Sequence, residues 1–269
     1  MTDILHPRCV YIGIRDVAMA IPRVSDIGLG IEIVFNDTSD LWPRVKWDTL
    51  LGLSDDLAEA QLPVACHGPF NSIAIASKDD HIAEYSYQCL AASIEGARIL
   101  GSPLIVFHTG YLPQYPTTYR PVWLDKFCVK LNQLLDIASN NGIVLAMENT
   151  YELDTTLFEE IFERVQHPFL GMCFDTGHSA CFSKVPAKSW IDSFSEQIVH
   201  LHLSDNDGES DLHWGLGRGV VNISTLIGPL IARGARPSVT FEVPLDETQS
   251  SNDYLTRSIA AAIGSTHEK

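Results

Sequence analysis

Basic residues are scarce in this chain. Lysine and arginine together number 18, against 34 aspartate and glutamate residues, so the formal net charge is −16 over 269 residues. A surface that binds nucleic acid needs Lys and Arg to replace the counterions on phosphates, and the sequence has no basic run. The composition therefore favours a small-molecule partner over a long polyanion, and DNA would need a local positive rim.

The sequence also lacks long apolar runs and paired cysteines. No run approaches the roughly 20 apolar residues that span a bilayer, and the first residues do not combine a basic start with an apolar stretch, so we expect no membrane segment and no signal peptide. The six cysteines show no CxxC spacing. We therefore expect reduced core cysteines in a cytoplasmic protein, with an oligomeric state that the sequence leaves open.

No Pro/Gly/Ser-rich linker divides the chain, and we predict one domain over residues 1–269. Short apolar runs typical of buried strands alternate with stretches that carry apolar residues at helical spacing. The predicted strands are 10–14, 30–35, 63–67, 104–108, 143–148, 170–175, 198–202 and 239–242. The predicted helices are 47–61, 79–101, 121–141, 154–165, 186–194, 223–233 and 252–263.

This alternation predicts a single α/β domain, a (β/α)8 TIM barrel. A parallel barrel is covered on both faces, which explains strands that are almost continuously apolar. The competing architecture is an open doubly wound sheet. It would carry a Gly-rich phosphate turn after the first strand, where this chain has only Gly13 before Ile14-Arg15-Asp16.

Imidazoles and carboxylates stand at or just beyond the carboxyl ends of these strands. Barrel active sites form at that end, and buried charges are costly unless they are paired or bound to metal. We therefore predict that these side chains share a metal site. The predicted ligands are His67, His108, Glu148, Asp175, His178, His202, Asp211, His213 and Glu242.

Nine ligands exceed what one ion holds, so we expect two or three divalent ions. Carboxylates and imidazoles without thiolates suit Zn²⁺, Mn²⁺ or Fe²⁺, and the absence of cysteine from the set excludes a structural zinc finger. Adjacent ions can activate a water, hold a substrate and stabilise a leaving oxygen. This division of labour favours hydrolysis of a phosphoester.

The order of these motifs resembles one family, the xylose-isomerase-like barrels, over roughly residues 10–245. That superfamily includes endonuclease IV and many sugar and sugar-phosphate isomerases and epimerases. The motifs that carry the resemblance are His67-Gly-Pro-Phe70, Phe107-His-Thr-Gly110, Met147-Glu-Asn149, Phe174-Asp-Thr-Gly-His178, His202-Leu-Ser-Asp205, Asp211-Leu-His213, Leu216-Gly-Arg-Gly219 and Phe241-Glu-Val243.

The resemblance implies how the ligands divide. By analogy with endonuclease IV, one ion is held by His67, His108 and Glu148, a second by Glu148, Asp175, His202 and Glu242, and a third by His178, Asp211 and His213. By analogy with the sugar epimerases, a single ion is held by the second of these sets. In that case the two glutamates move a proton beside a carbonyl.

Two departures weaken the resemblance to the DNA-repair branch. The segment of residues 35–43 after the second strand is acidic and lacks the arginine-bearing loop expected there. Phe70 stands where that branch has a tyrosine. Abasic-site incision is therefore the third hypothesis, behind phosphoester hydrolysis and sugar isomerisation or epimerisation.

We predict hydrolysis of a phosphoester in a sugar-phosphate-like molecule, with Glu148, Glu242, His178 and Asp205 as catalytic residues. In this hypothesis a bridging hydroxide attacks phosphorus, and Asp205 orients a ligand or activates water. Arg218 is a candidate phosphate contact. The rim aromatics Phe70, Tyr111, Tyr115, Trp42 and Trp214 are candidates for substrate binding. Two inward residues have other expectations: His200 is a hydrogen-bonded core histidine, and Glu32 is left unassigned.

Overall fold

Eight parallel strands close into a barrel in the order in which they occur along the chain. The computed structural model describes residues 5–40 and 47–266, so Trp42 lies outside the described residues. The strands are β1 (Arg8–Gly13), β2 (Gly30–Val34), β3 (Val64–His67), β4 (Leu104–His108), β5 (Val144–Glu148), β6 (Leu170–Asp175), β7 (Ile198–Leu203) and β8 (Ser238–Phe241). Because β8 pairs with β1, the sheet has no edge, and the predicted (β/α)8 barrel is confirmed.

Helices cover the outside of the barrel. They are α1 (Val17–Asp26), α2 (Trp47–Glu59), α3 (Asp80–Ile99), α4 (Arg120–Asn140), α5 (Thr156–Arg164), α6 (Thr176–Cys181), α7 (Ala187–Phe194), α8 (Ile223–Ala232) and α9 (Thr248–Thr266). The sequence did not predict α1 or α6. Pro22 lies inside α1, and α6 has only six residues, too few to display a helical period.

The strands are short, apolar and buried on both faces. All five residues of β2 and all six of β6 are buried, as expected for strands enclosed between a barrel interior and a helical shell. The barrel ends are tight: a Cβ on Gly30 would lie 2.4 Å from the carbonyl oxygen of Pro63. Glycine there lets β2 approach the chain that enters β3.

The six cysteines are free, and five of them are buried in the packed interior. Within residues 5–40 and 47–266, none of the helices combines the length and hydrophobicity of a transmembrane segment.

Candidate active site at the barrel mouth

Four neighbouring strands bring four of the predicted ligands to one point. Glu148, Asp175 and His202 lie at the ends of β5, β6 and β7, and Glu242 directly follows β8. Nδ1 of His202 is 3.1 Å from a Glu242 oxygen, 3.5 Å from a Glu148 oxygen and 3.8 Å from Oδ2 of Asp175. All four residues are buried.

This group of atoms fits a divalent cation. Oδ2 of Asp175 and Nδ1 of His202 are both buried, and neither has a hydrogen-bond partner among the described residues. Unpaired buried groups of this kind are costly, and a cation would satisfy both. Glu148, Asp175 and His202 each offer a ligand atom, and these atoms lie within 4.8 Å of one another.

Two more histidines reach the same carboxylate from β3 and β4. Nε2 of His67 and Nε2 of His108 are each 3.1 Å from Oε2 of Glu148. His67 is held in place by a contact of 2.7 Å between its Nδ1 and the Gly68 carbonyl oxygen. The set His67, His108 and Glu148 also satisfies the distances of a metal site, so Glu148 is placed to belong to two ligand sets.

The remaining three predicted ligands meet around Asp211. Its Oδ2 is 3.0 Å from Nε2 of His213 and 3.3 Å from Nε2 of His178. Oδ1 of Asp211 is buried without a hydrogen-bond partner among the described residues. His213 has a φ of +49°, a strained backbone conformation of the kind that clusters at functional sites. The structure thus brings all nine predicted ligands to one mouth.

The carboxyl groups of this cluster have shifted pKa values. Burial, together with the nearby carboxylates of Glu242 and Glu148, raises the pKa of Asp175 to about 7. Burial alone would also raise the pKa of Glu148, but His202, His108 and His178 hold that pKa well below its ordinary value. Glu148 is therefore ionised at neutral pH, and Asp175 is poised to lose a proton when a cation arrives.

A cavity of about 350 Å³ opens from this cluster toward solvent. One side presents His67, His108, Glu148, His178, Asp211, His213 and Glu242, and the remainder includes Tyr11, Phe70, Leu112, Tyr115, Thr150 and Tyr151. Phe70 packs against His108 with ring centroids 5.1 Å apart, so this predicted substrate contact lines the cavity. The size suits a small molecule.

Two inward-facing residues below the mouth were not assigned to the site by sequence. Tyr11 on β1 lines the cavity, with its ring 6.2 Å from that of His67. Glu32 on β2 is fully buried and contacts both His200 and His202. His200 is the hydrogen-bonded core histidine that the sequence predicted, since it also contacts Ser238. The signal that could have found Glu32 and Tyr11 is their inward position on strands adjacent to the ligand-bearing ones.

Asp205 is placed in a different role from the predicted catalytic one. Its fully buried carboxylate accepts hydrogen bonds from the backbone N–H groups of Asn206, Gly217, Gly219 and Val221, at 2.8–3.0 Å. These bonds occupy both carboxylate oxygens. Asp205 therefore holds the glycine loop instead of facing a substrate, which corrects the sequence prediction.

Three predicted substrate contacts also lie away from the cavity. Arg218 forms an ion pair with Glu247 at the surface, outside the residues that line the cavity. The backbone of Trp214 pairs with that of Asp205 in an antiparallel bridge. Tyr111 packs against Trp123 and against Tyr115, and it is Tyr115 that lines the cavity. None of the three lines the cavity, and their role in substrate binding stays a prediction.

A family model described as xylose isomerase-like TIM barrel matches residues 22–262. The uncharacterized protein MJ1311 of Methanocaldococcus jannaschii is 29% identical over 74% of this chain and 69% of its own length. Fructoselysine 3-epimerase of Shigella flexneri is 26% identical over 61% of each chain. A probable endonuclease 4 of Mesomycoplasma hyopneumoniae is 25% identical over 54% of this chain and 56% of its own.

Two solved structures share the fold. The TTHB071 protein of Thermus thermophilus, soaked with ZnCl2, has a TM-score of 0.81 and 24% identity, over 95% of this chain and 99% of its own. A D-tagatose 3-epimerase-like protein has a TM-score of 0.83 and 22% identity, over 97% of this chain and its full length. At these identities the likeness concerns the barrel itself.

Proposed function

Because this chain belongs to the xylose isomerase-like TIM barrel family, we propose that it is a divalent-metal-dependent sugar epimerase. The reaction inverts a carbon next to the carbonyl of a small sugar. Two of the relatives above have names that state an activity. The fructoselysine 3-epimerase has a higher identity to this chain, and a higher coverage of it, than the probable endonuclease 4. The comparisons thus favour this hypothesis over phosphoester hydrolysis, which the sequence had favoured.

One observation carries the proposal: two glutamates contact the same ligand nitrogen at the floor of a sugar-sized cavity. Glu148 and Glu242 lie 3.5 and 3.1 Å from Nδ1 of His202, and both line the cavity. They come from β5 and from the end of β8, with the ligands of β6 and β7 between them in the barrel. A carbon bound between the two carboxylates would expose a face to each.

In this proposal, Glu148, Asp175, His202 and Glu242 hold the cation. A divalent ion so bound supplies Lewis acidity at the sugar oxygens. Glu148, which is ionised because its pKa is held low, takes the proton from the carbon beside the carbonyl, and the C–H electron pair forms an enediolate. Glu242 then transfers a proton to the opposite face, so the carbon is inverted without net oxidation.

Isotope exchange tests this reaction across a range of candidate sugars at once. The protein supplied with Mn²⁺ or Co²⁺ is incubated with a panel of ketohexoses in D₂O, and deuterium at the carbon beside the carbonyl is measured by mass spectrometry and NMR. We expect incorporation and formation of the epimer. In Glu148→Gln and Glu242→Gln the rate should fall by roughly 10²- to 10⁴-fold, the usual contribution of an acid or base.

Hydrolysis remains a second candidate because a further set of metal-capable residues lines the cavity. His67, His108, His178, Asp211 and His213 have no required role in a single-ion epimerase, yet all of them line it. Elemental analysis distinguishes the two functions. One ion per chain that survives His67→Ala and His213→Ala supports the epimerase. Two or three ions, with phosphodiesterase activity that Asp211→Ala abolishes and no deuterium exchange, would instead establish the hydrolase.

A further inference from the structure

Glu32 is a buried carboxylate that no step of the proposed reaction uses. It lies in the middle of β2 with no solvent exposure. Nε2 of His202 is 3.0 Å from its Oε1, Nε2 of His200 is 2.9 Å from its Oε2, and Oγ1 of Thr240 is 2.6 Å from the same Oε2. These three hydrogen-bond donors stabilise the buried carboxylate, which would be strongly destabilising without partners.

We propose that Glu32 is a positioning residue for metal binding: it fixes which nitrogen of His202 faces the ion. An ionised carboxylate can only accept hydrogen bonds, so Nε2 of His202 must carry its proton toward Glu32. In the neutral ring that binds a cation, the lone pair is then on Nδ1, the atom that faces Glu148, Asp175 and Glu242 without a hydrogen-bond partner among the described residues. The inference rests on the metal site of the proposed function but not on its substrate.

Contacts with neighbouring strands fix the position of the Glu32 carboxylate. Thr240 on β8 contacts Glu32 and is 3.0 Å from Nε2 of His200. Nδ1 of His200 is 2.6 Å from Oγ of Ser238. A series of hydrogen bonds thus connects Ser238, His200, Glu32 and His202, which lie on the three strands β8, β7 and β2. A carboxylate that orients a ligand histidine in this way raises its basicity, and loss of such a partner typically lowers metal affinity 10- to 100-fold.

The test uses the full chain and Co²⁺ alone. The dissociation constant is measured by competition with a chromophoric chelator, for the wild type, Glu32→Gln and the control Ser102→Ala, which removes a buried hydroxyl that donates to the Leu104 carbonyl outside this network. Glutamine keeps the size of Glu32 but offers one acceptor oxygen in place of two and brings an NH₂ group, so three donors can no longer be satisfied. We expect Glu32→Gln to bind Co²⁺ 10- to 100-fold more weakly, and Ser102→Ala to bind close to the wild-type value.

A spectroscopic readout tests the tautomer directly. In the Co²⁺ form, the N–H proton of a ligand histidine is paramagnetically shifted, and the His202 proton should exchange slowly because it is buried against Glu32. The signal should be lost, or exchange rapidly, in Glu32→Gln. Because the wild-type spectrum needs no variant, the inference stays testable even if Glu32→Gln does not fold, which thermal unfolding of the metal-free variant checks.

The outcomes separate this inference from the proposed reaction. Equal Co²⁺ affinity in Glu32→Gln and wild type, equal weakening in Glu32→Gln and Ser102→Ala, or no protected N–H in the wild type would each overturn the role of Glu32. Failure of the wild type to bind Co²⁺ would overturn both proposals. A protein that binds Co²⁺ in this manner but epimerises no sugar would contradict only the reaction.

Discussion

At the scale of single residues, Asp205 is the clearest case of a carboxylate used for structure. It accepts four backbone hydrogen bonds in a fully buried position. Removing it leaves those N–H groups without an acceptor, so we predict that Asp205→Ala lowers the free energy of unfolding by about 3 kcal/mol. Urea denaturation measures this change, and elemental analysis should find the metal content unchanged.

Asp207 is the matched control for this prediction. Its exposed carboxylate accepts from the N–H groups of Glu209 and Ser210 in the same loop, where water can replace it. Asp207→Ala should therefore cost less than about 1 kcal/mol. If Asp205→Ala unfolds like the wild type but loses all turnover, Asp205 takes part in the chemistry, as the sequence suggested.

The contrast between Asp205 and Glu148 shows what sequence can reveal about a site. The sequence predicts Glu148 as a site residue because a carboxylate that ends an apolar strand must meet a partner at the barrel mouth. Asp205 and Arg218 lie in a loop, where the backbone path decides whether a side chain faces the cavity or its own loop. Glu32 stayed unassigned because its partners, His200 and His202, lie more than 160 residues away in the sequence.

At the scale of secondary structure, α6 connects the proposed metal site to the shell of helices. Oδ1 of Asp175 accepts from the N–H of His178 and caps the helix, while Oδ2 is left for the cation. Asn is as good an N-cap as Asp, and Ala is poorer by about 1 kcal/mol. We therefore predict that metal-free Asp175→Asn is at least as stable as the wild type at pH 8, whereas Asp175→Ala is less stable than Asp175→Asn.

The same two variants should lose metal affinity together, because each removes a charged ligand. Urea denaturation of the metal-free proteins and competition binding of Co²⁺ give the two quantities separately. Wild-type affinity in Asp175→Asn would show that Asp175 serves α6 alone. Loss of structure in α6 of Asp175→Asn, detected by hydrogen exchange, would contradict the capping role.

The elements themselves were predictable to the extent that they repeat a simple pattern. The buried runs of β1 to β8 stood out, because each is a short apolar stretch bounded by turns. Helix α6 has no such pattern in the sequence, because its position depends on the N-cap that Asp175 forms and on close contact with β7. A Cβ on Gly177 would lie 2.3 Å from Oγ of Ser204. Contacts between distant segments of this kind leave no period in the sequence.

At the scale of the whole molecule, cation binding should stabilise the fold. The chain carries a net charge of −16, and buried carboxylates are concentrated at the mouth of the barrel. A ligand that binds only the folded state adds about 2.7 kcal/mol at a concentration 100 times its dissociation constant. We predict that Mn²⁺ or Co²⁺ raises the melting temperature and that a chelator reverses the shift. An unchanged melting temperature with saturating metal would contradict a site within the folded barrel.

The pH dependence of this stabilisation follows from Asp175. Its pKa is raised from 3.8 to about 7, first by burial and then by Glu242 and Glu148. In the metal-free protein, a raised pKa stabilises the fold at low pH, and this contribution is lost as the pH rises through about 7. A cation requires ionised Asp175, so metal uptake releases this proton below pH 7. It also requires a free Nδ1 on His202, whose pKa is raised well above its ordinary value, against the effect of burial, by Cys173, Glu242, Glu32 and Glu148. Two protons are therefore released below pH 7, where affinity should rise about a hundredfold for each pH unit, and the proton of His202 keeps the affinity rising above pH 7.

The shape of this curve above pH 7 also reports on the number of ions. The hydrogen bond that His213 donates to Asp211 raises the pKa of His213 to about 9 despite partial burial, so an ion held by His213 must displace a proton even above neutral pH. If only the ligands of the epimerase site bind metal, we expect the affinity of Asp211→Ala to follow the wild-type curve between about pH 7 and pH 8. A steeper rise in the wild type that Asp211→Ala reduces would instead indicate a further ion and favour the hydrolase. Calorimetry in buffers of different ionisation enthalpy counts the released protons and tests both parts of the curve.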